Sequence, residues 1–326
     1  MKKEMKVSIV IPNYNGKHFM KACMESLYKQ TWKEFEVIVV DNASSDGSVS
    51  YIEEYYPDIR LIKMDTNTGF STAVNVGIQA AKAPYVFLLN NDTECEPNCV
   101  RELYHAIRKS KKIFSVSSQM IQYHNREYLD SAGDIYTVFG WAFNRGNGKP
   151  ISMYSKEESV FTACAGAAMY RKSIFDEIGY FDENFFAYRE DIDIGYRGRI
   201  HGYENRYCPT AKVYHIGSGT SGSKHNAFKV KLGVRNNIYL NYKNMPLPFL
   251  LINFPFLFIG YSVKWIYFIK KGLGKAYFEG IKEGFQKRKH LTKEKFQWKN
   301  LSNYKGVQIE LYKNTWKIVK EKIKKD

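Results

Sequence analysis

The stretch VSIVIPNYNG, residues 7–16, combines a predicted buried strand with the polar turn that follows it. Its first six residues form a short apolar run bounded by a turn, which is typical of a strand buried on both faces. After the turn, Phe19, Cys23 and Leu27 recur every four residues, which predicts a helix with one apolar face. A strand, a polar turn and an amphipathic helix together form the repeating unit of a parallel α/β sheet.

The same unit recurs through the first 120 residues. Further strands are predicted over 35–40, 59–64 and 85–90, and further helices from about residue 48, over 71–82 and over 97–109. This alternation predicts a parallel sheet with right-handed crossovers, in which ligands bind beyond the carboxyl ends of the strands. The residues just after each strand are therefore the first candidates for a binding site.

Polar and small residues follow each of four predicted strands. The segments are PNYNG (12–16), DNASSDGS (41–48), NTGFSTAVN (67–75) and NND (90–92). Such strand ends suit a polar ligand that lies across the edge of the sheet. Neither G-x-G-x-x-G nor G-x-x-x-x-G-K-[ST] follows the first strand, so neither a Rossmann dinucleotide site nor a P-loop is indicated.

The stretch FDENFFAYREDIDIGYRGR, residues 181–199, concentrates acid in a basic protein. The chain has 49 Lys and Arg against 33 Asp and Glu, a formal charge of +16, yet five carboxylates stand close together here. A helix is predicted to follow, and one carboxylate, with Asp193 as the candidate, could cap its N-terminus. Capping does not explain a cluster of carboxylates. We assign structural roles to Asp182 and Glu183. The presence of Glu190 and Asp191 then still needs an explanation.

Five segments of the chain together resemble a known family. VSIVIPNYNG, VIVVDNASSDGS, NTGFSTAVNVGI, FLLNND and the block GAAMYRKSIFDEIGYFDENFFAYREDIDIGYR are similar, in order and spacing, to family 2 glycosyltransferases of the GT-A fold. The likeness covers roughly residues 6–245 and is closest to the bacterial rhamnosyltransferase-like branch. It implies an α/β fold of GT-A type, with a central mostly parallel sheet flanked by helices and a C-terminal helical membrane-associated tail.

The resemblance also divides the chain and places the donor at the strand ends. Residues 1–115 would be the nucleotide-sugar-binding half, 116–245 the acceptor-binding and catalytic half of the same domain, and 246–326 a basic, amphipathic, membrane-associating region. The implied donor contacts are Pro12, Tyr14, Asp41, Gly69, Asn75, Asn90, Asn91 and Asp92. Asp41 would accept the imide N–H of uracil or thymine, although it could instead only begin the turn in DNASSDG.

Residues 90–92, Asn-Asn-Asp, occupy the position of the family's metal-binding D-x-D motif, with one carboxylate in place of two. Mg²⁺ or Mn²⁺ can be held by one carboxylate together with substrate phosphates. The resemblance implies that Asp92 and His215 are the metal ligands. Asp92 as an ordinary loop residue and His215 as a structural residue are the alternatives.

For the acid-rich stretch the resemblance implies catalysis. Asp191 would be the general base that takes the proton of the acceptor hydroxyl, in a direct displacement that inverts the anomeric configuration, and Glu190 would support it. The candidate acceptor contacts are Gly166, Trp141, Tyr188 and Arg235. Residues 129–149 are predicted to form a mobile acceptor-side loop, and residues 215–226 a flexible lid over the diphosphate.

The C-terminal region indicates a membrane. Residues 247–269 hold a single charge, Lys264, and are long enough to span a bilayer, but two prolines, an asparagine and that central lysine oppose spanning. Residues 270–326 carry 17 Lys and Arg against 6 Asp and Glu. We predict a segment that lies in the membrane interface with lysines facing anionic headgroups, with a spanning helix and a buried or dimer-forming helix as alternatives.

Together these features predict an inverting, metal-dependent glycosyltransferase of the hexosyltransferase class. It would move a sugar, with rhamnose favoured, from a UDP- or dTDP-sugar to a hydroxyl of a lipid-linked or cell-surface glycan. The alternative is a catalytically inactive protein that binds a nucleotide sugar or a glycan. The six apolar residues near the N-terminus are too few for a signal-peptide core, so we expect a cytoplasmic protein at the inner face of the cell membrane. A homodimer is possible, and no nucleic-acid partner is expected.

Overall fold

The computed structural model describes residues 4–217 and 226–323. Its strands are β1 Val7–Asn13, β2 Phe35–Asp41, β3 Arg60–Lys63, β4 Tyr85–Leu89, β5 Thr93–Cys95, β6 Ile113–Gln122, β7 Leu129–Ser131, β8 Asp134–Tyr136, β9 Ala142–Asn144, β10 Glu158–Val160, β11 Ala167–Arg171 and β12 Glu204–His215. Its α-helices are α1 Lys17–Tyr28, α2 Ser48–Tyr55, α3 Gly69–Ala80, α4 Cys99–Arg108, α5 Lys172–Ile178, α6 Glu190–Ile200, α7 Ala227–Asn244, α8 Leu247–Lys270, α9 Gly274–Lys287 and α10 Leu301–Ile323. The strands and helices predicted in the first 110 residues are all present.

The main sheet has the strand order β10-β12-β6-β11-β4-β1-β2-β3. β1 runs parallel to β2 and β4, β2 runs parallel to β3, and β6 runs parallel to β12. β11 is antiparallel to both β4 and β6 and so joins the two parallel groups. The predicted α/β fold with a central, mostly parallel sheet is confirmed, and the carboxyl ends of β1, β2 and β4 lie at one edge.

Strand β1 is buried on both faces, as its apolar sequence predicts. Ile9 and Ile11 pack with Met20 of α1 on one side of the sheet. Val10 faces the opposite side, where α3 covers it. A Cβ on Gly77 of α3 would lie 2.2 Å from Val10 Cγ1, so the helix reaches this distance from the sheet only with glycine there. This close packing fixes the strand ends that carry the polar segments.

Helix α10 completes the core around α6. The buried cluster that they share includes Tyr196, Ile200, Tyr304, Val307 and Leu311. At its rim Arg199 pairs with Glu310, and His201 Nε2 lies 2.9 Å from Glu294 Oε1. Removing the C-terminal region would therefore uncover the core beneath α6, the helix that begins with Glu190 and Asp191.

Helix α8 packs against the protein along one face. Asn253 exchanges two hydrogen bonds with Gln308 of α10, of 2.8 and 2.6 Å. Leu257 is buried, and a Cβ on Gly260 would lie 2.2 Å from the carbonyl oxygen of Phe139. The opposite face exposes Leu251, Ile252, Phe254, Phe258, Ile259, Val263 and Ile266. By length and composition alone, α8 could also cross a membrane.

Candidate active site

A buried hydrogen-bonded chain joins the ends of β1, β2 and β4. Asn13 Nδ2 donates to Asp41 Oδ2 at 2.8 Å, and Asn13 Oδ1 accepts from Asn91 Nδ2 at 2.7 Å. The N–H of Ser44 donates to Asp41 Oδ1 at 2.9 Å. A Cβ on Gly16 would lie 2.0 Å from Asn91 Nδ2, so glycine is required for this approach. Asn13, the last residue of β1, thus connects Asp41 to Asn91. The sequence analysis did not predict this role of Asn13.

The other predicted residues of these strands lie around this chain. Pro12 is half-buried beside β2, and Tyr14 is exposed at the edge. The N–H of Asn90 donates to the carbonyl of Gly166 at 2.8 Å. A Cβ on Gly166 would lie 3.1 Å from Asn90 Nδ2. Gly166, predicted on the acceptor side, therefore lies directly beside a predicted donor contact.

Asn75 and Gly69 instead hold the loop that precedes α6. Asn75 Nδ2 donates to the carbonyl of Phe181 at 2.8 Å, and its Oδ1 accepts the N–H of Phe181 at 3.1 Å. Gly69 has a φ of +87°, and a Cβ there would lie 2.5 Å from the carbonyl oxygen of Phe186. Asn42, which the sequence analysis missed, donates to the Gly69 carbonyl at 3.1 Å. These contacts give Asn75 and Gly69 structural roles, and their contact with the donor stays a prediction.

Both predicted metal ligands meet beyond the end of β4. His215 Nε2 lies 3.3 Å from Asp92 Oδ1, and His215 Nδ1 lies 2.7 Å from Oδ2 of Asp130. Burial by itself lowers the pKa of His215, but the hydrogen bonds to Asp130 and Asp92 outweigh it and raise the pKa to about 10. The imidazole is therefore a cation between two carboxylates, and Asp130, like Asn13 and Asn42, is a residue that the sequence analysis missed.

This arrangement fits a divalent cation. Carboxylate and imidazole ligands lie roughly 2.0–2.2 Å from such an ion, so two ligand atoms 3.3 Å apart can occupy neighbouring positions around it. Asp130 is the carboxylate partner that commonly orients a metal-binding histidine through its other ring nitrogen. A bound cation would replace the proton that His215 carries. Asp92 and His215 would be the protein ligands.

The acidic pair begins α6 after a strained loop. Glu190 and Asp191 form the first turn of the helix. Tyr188 and Arg189, just before it, have φ values of 71° and 74°, in the left-handed region that non-glycine residues seldom adopt. Asn236 of α7 holds this loop, because its Nδ2 amide group lies 2.7–2.9 Å from three of the loop's carbonyl oxygens. The fold thus imposes an unfavourable backbone in order to place the two carboxylates.

Burial sets the charge of this pair. It raises the pKa of Glu190 to about 8, with the charge of Asp191 adding to the effect. Glu190 Oε2 has no hydrogen-bond partner among residues 4–217 and 226–323. Burial also raises the pKa of Asp191, against the opposing effects of Arg189 and of the backbone N–H groups of Ile192 and Ala165. Burial therefore favours a protonated Glu190 at neutral pH, while Arg189 and the backbone N–H groups favour the anion of Asp191.

A further carboxyl group and a thiol lie beside Asp191. One carboxylate oxygen each from Asp134 and Asp191 and the sulfur of Cys164 lie within 4.8 Å of one another. Burial raises the pKa of Asp134 well above its usual range, and Asp191 raises it further. Burial likewise raises the pKa of Cys164, and Asp134 adds to it. The sequence analysis singled out neither Asp134 nor Cys164.

The segment 129–149, predicted as a mobile loop, instead folds into β7, β8 and β9 with backbone hydrogen bonds to each other and to β6. Within it, Asp130 contacts His215 and Asp134 lies against Asp191. The segment 129–149 thus lies next to both the predicted metal ligand His215 and the predicted base Asp191. The available sequence signal was the pair of acids four residues apart among small residues, in LDSAGD.

Asp193 belongs to a separate, structural network. Its Oδ2 accepts from Arg197 at 2.8 Å and from Lys243 at 3.1 Å, and its Oδ1 accepts from Asn244 at 2.7 Å. Burial alone would raise the pKa of Asp193, but Arg197 and Lys243 lower it to about 2. The predicted capping role of Asp193 is wrong, because these side chains bind its carboxylate. Asp182 accepts from Lys243 at 2.7 Å, which confirms its structural assignment.

Two predicted acceptor contacts are used inside the fold. Arg235 donates to the carbonyl of Phe185 at 2.9 Å and to Oε1 of Glu283 at 3.3 Å, which ties α7 to the loop and to α9. Trp141 Nε1 donates to the carbonyl of Gly260 in α8 at 3.0 Å. Both side chains thus have structural contacts, and their contact with the acceptor stays a prediction. Tyr188 keeps its place next to the acidic pair.

Part of the predicted lid, residues 215–226, cannot be placed. Residues 218–225 lie outside the described residues. Its first residue, His215, ends β12, and Asn226 caps α7 by accepting the N–H of Lys229 at 2.9 Å. The lid stays a prediction.

Comparison with known proteins identifies the family. A sequence profile described as Glycosyl transferase family 2 matches residues 8–179, from β1 to the end of α5. The chain belongs to glycosyl transferase family 2. The match confirms the predicted family and class of enzyme, a glycosyltransferase, and it includes Asp41, Asp92 and Asp134.

Individual relatives are distant or partial. The N-acetylglucosaminyl-diphospho-decaprenol L-rhamnosyltransferase of Mycobacterium tuberculosis H37Rv is 25% identical over 236 residues, which are 66% of this chain and 77% of the relative. The uncharacterized glycosyltransferase YibD of Escherichia coli K12 is 40% identical over 101 residues, 30% of this chain and 29% of YibD. A crystal structure of GalNAc-T7 with UDP, GalNAc and Mn²⁺ has a TM-score of 0.59 and 17% identity, over 74% of this chain and 48% of that one. At this identity the structural likeness supports the GT-A fold alone.

Proposed function

We propose that this protein is an inverting, metal-dependent glycosyltransferase that moves a sugar from a UDP- or dTDP-sugar to a hydroxyl of a lipid-linked or cell-surface glycan. The observation that carries the proposal is the position of Asp191. Its partly buried carboxylate stands at the start of α6, with a raised pKa, while the next acid along the helix, Asp193, is neutralised by cations. A carboxylate held in this way is suited to take a proton.

In the proposed reaction Asp191 takes the proton of the acceptor hydroxyl as its oxygen attacks the anomeric carbon. The bond from that carbon to the diphosphate breaks at the same time, and the attack from the opposite face inverts the configuration. Glu190, whose raised pKa keeps it mostly protonated at neutral pH, adds no second negative charge beside the base. This leaves Asp191 as the ionised group of the pair.

Asp41 suits the base of the nucleotide. Each of its oxygens accepts one hydrogen bond within the protein, from Asn13 and from Ser44. A carboxylate oxygen has two lone pairs, so both retain capacity for the imide N–H of uracil or thymine. This supports a pyrimidine donor and leaves the choice between UDP and dTDP to experiment.

Asp92 and His215 would hold Mg²⁺ or Mn²⁺. When bound, such an ion stabilises the negative charge of a leaving diphosphate. The chain's own contribution is to orient the two ligands, and Asp130 does this for His215 through the hydrogen bond of 2.7 Å to Nδ1.

Helix α8 supports a lipid-associated acceptor. Its inner face contacts the protein from Asn253 to Gly260, so the helix cannot be surrounded by lipid as a spanning helix would be. Its outer face is apolar, and the C-terminal region beyond it is strongly basic. These features favour a helix that lies in the plane of an anionic membrane, at the cytoplasmic face of the cell membrane. Rhamnose as the sugar rests on the family resemblance and on the name of the mycobacterial relative.

The first test is nucleotide release from a panel of donors. The full chain is incubated with UDP-glucose, UDP-N-acetylglucosamine, UDP-galactose and dTDP-L-rhamnose, with a polyprenyl-diphospho-N-acetylglucosamine acceptor, in Mg²⁺, Mn²⁺ or EDTA. We expect release from one donor in the presence of metal and a product of inverted configuration by NMR. Asp92→Asn should raise the metal concentration needed. Donor binding without release under any condition would favour the inactive binding protein instead.

The second test addresses the membrane. We expect the full chain to sediment with phosphatidylglycerol vesicles, less with phosphatidylcholine vesicles, and less at high salt. Phe254 and Phe258 are 62% and 63% exposed on the outer face of α8, so the double variant F254E/F258E should release the protein. Tyr55→Glu, at a residue 59% exposed on α2, is the matched control and should still sediment. Equal sedimentation of both variants would contradict the assignment of this face.

A further inference from the structure

We propose that Asp134 is a positioning residue for the base: its carboxyl group lies beside that of Asp191 and holds it in place for the acceptor hydroxyl. This inference rests on the glycosyl transfer proposed above. It concerns a residue in β8, far in sequence from the acid-rich stretch, that the family motifs quoted above do not contain. In the proposed reaction the acceptor's proton passes to Asp191, and Asp134 keeps its own proton throughout.

Proximity is the first support. An oxygen of Asp134 and an oxygen of Asp191 lie within 4.8 Å of each other, in a site where Asp134 is only 4% exposed. Two carboxylates so close in a poorly solvated site repel each other, so that the pair retains one proton at a pH where a single exposed carboxyl group has lost it. The two groups therefore titrate as a pair.

The surroundings decide which member carries the proton. Asp191 accepts the N–H of Ile192 at 2.8 Å and a hydrogen bond from the Ala165 backbone, and it stands in the first turn of α6, where the helix dipole favours an anion. The side chain of Asp134 has a long contact of 3.5 Å with the hydroxyl of Thr162. The anion is thus better stabilised on Asp191, and the proton remains on Asp134.

The charged and titratable neighbours agree with this assignment. Arg189, from the loop before α6, favours the anion of both groups. Asp130 on β7 raises the pKa of Asp134 further, and burial raises the pKa of both Glu190 on α6 and Cys164 beside β11. Burial, followed by the charge of Asp191, raises the pKa of Asp134 well above its usual range. A neutral Asp134 is therefore expected at neutral pH.

The backbone holds Asp134 rigidly enough to position its neighbour. Its N–H donates to the carbonyl of Thr162 at 2.9 Å. β8 pairs with β9, and the turn between them is anchored to the C-terminal helices. There the hydroxyl of Thr315 accepts the N–H of Val138 at 3.0 Å, and Asn314 donates to the carbonyl of Tyr136 at 3.0 Å. The C-terminal helices thereby fix the strand that begins with Asp134.

Two variants of nearly equal shape test the proposal. Asn can donate a hydrogen bond as a protonated Asp does and carries no charge, whereas Leu has the same branching but cannot donate. Turnover of dTDP-L-rhamnose, or of the UDP-sugar that the donor panel identifies, is measured with the acceptor used there. We expect Asp134→Asn to keep kcat within about threefold at pH 7, and Asp134→Leu to lower kcat by about 100-fold with the donor KM unchanged.

Each possible result of this experiment either supports or contradicts the proposed role of Asp134. If Asn lowers turnover as much as Leu does, an ionised Asp134 is required and the proposal is wrong. If Leu turns over like the unmodified chain, Asp134 has no positioning role. Because Asn replaces a group that we infer to be neutral already, Asp134→Asn should fold with undiminished stability, and its failure to fold would also contradict the proposal. Should the Leu variant not fold, Asp134→Ala takes its place.

The failure of this inference is distinct from that of the proposed function. If the unmodified chain releases no nucleotide from any donor, the proposed function fails before the variants are compared, and the inference falls with it. If the unmodified chain is active and the Asn and Leu variants behave alike, the inference alone fails. Asp58→Asn, at an exposed residue between α2 and β3, is the control for loss of a carboxylate elsewhere and should leave turnover unchanged.

Discussion

Helix α6 carries two groups of buried acid with opposite electrostatics. Asp193 is completely buried, and its pKa is lowered to about 2 by Arg197 and Lys243. One turn earlier, Glu190 is also buried, but its pKa is raised to about 8, and that of Asp191 is raised as well. Burial is similar for Glu190 and Asp193, so burial does not distinguish the groups.

The difference lies in the compensating partners. The carboxylate of Asp193 accepts from two cationic side chains and an amide, so its negative charge is fixed and chemically inert. Around Glu190 and Asp191 the fold supplies another acid, Asp134, and fewer strong donors. A buried carboxylate that lacks such partners keeps a raised pKa, and proton transfer is expected at sites of this kind. Within this one helix Asp193 is a structural anion, whereas Asp191 is the proposed base.

The largest expected effect on stability comes from the compensated group. Asp193→Asn would leave Arg197 and Lys243 buried next to a neutral side chain, which typically costs about 3–5 kcal/mol. We expect the free energy of unfolding in urea to fall by that order at pH 7. A loss below about 1 kcal/mol would show that Asp193 is not the anchor of this network.

The uncompensated group should show the opposite dependence on pH. Folding raises the pKa of Glu190 from its ordinary 4.5 to about 8, so the folded protein binds this proton more tightly than the unfolded chain does. The resulting stabilisation is complete below pH 4.5 and is lost as the pH rises through 8. Relative to Glu190→Gln, the unmodified chain should lose on the order of a few kcal/mol between pH 5 and 8.

The measurement is urea unfolding of both proteins at several pH values across this range. Gln cannot titrate, so the difference between the two curves isolates Glu190. Curves that stay parallel from pH 5 to 8 would mean that Glu190 titrates alike in the folded and unfolded states.

The smallest effect is expected at the rim of the compensated network. Asp182 shares Lys243 with Asp193, at 2.7 and 3.1 Å respectively, so Asp182→Asn leaves the lysine one buried partner. We expect a loss of about 1 kcal/mol in unfolding free energy and unchanged turnover. A loss as large as that of Asp193→Asn would show that the two carboxylates act as one unit.

The sequence allowed the sheet and its strand ends to be predicted because their signals are local. Apolar runs and four-residue spacing identify β1, β2, β4 and the helices between them, and the parallel topology then places Asp41 and Asn91 at one edge. The family resemblance added the roles of Asp92, His215 and Asp191. Those roles stay predictions; the structure places Asp92 between β4 and β5, His215 at the end of β12 and Asp191 in the first turn of α6.

The rest depends on contacts between distant parts of the chain. Asp130 meets His215 across 85 positions, and Asn75 meets the Phe181 loop across 106. The spacing of apolar residues along the sequence does not predict contacts between residues so far apart. For the same reason Asp193 was predicted as a cap, although Lys243 and Asn244 of α7 bind it, and the contacts of Arg235 with Phe185 and Glu283 were not predicted.

The most direct test of the central claim compares Asp191→Asn with the unmodified chain in turnover and in donor affinity. With Asp191 as the base, kcat should fall by about 10²–10⁴-fold. Donor affinity measured by calorimetry should not decrease, because Asp191 is not among the predicted donor contacts. Undiminished turnover in Asp191→Asn would remove this residue from the mechanism and with it the functional reading of α6.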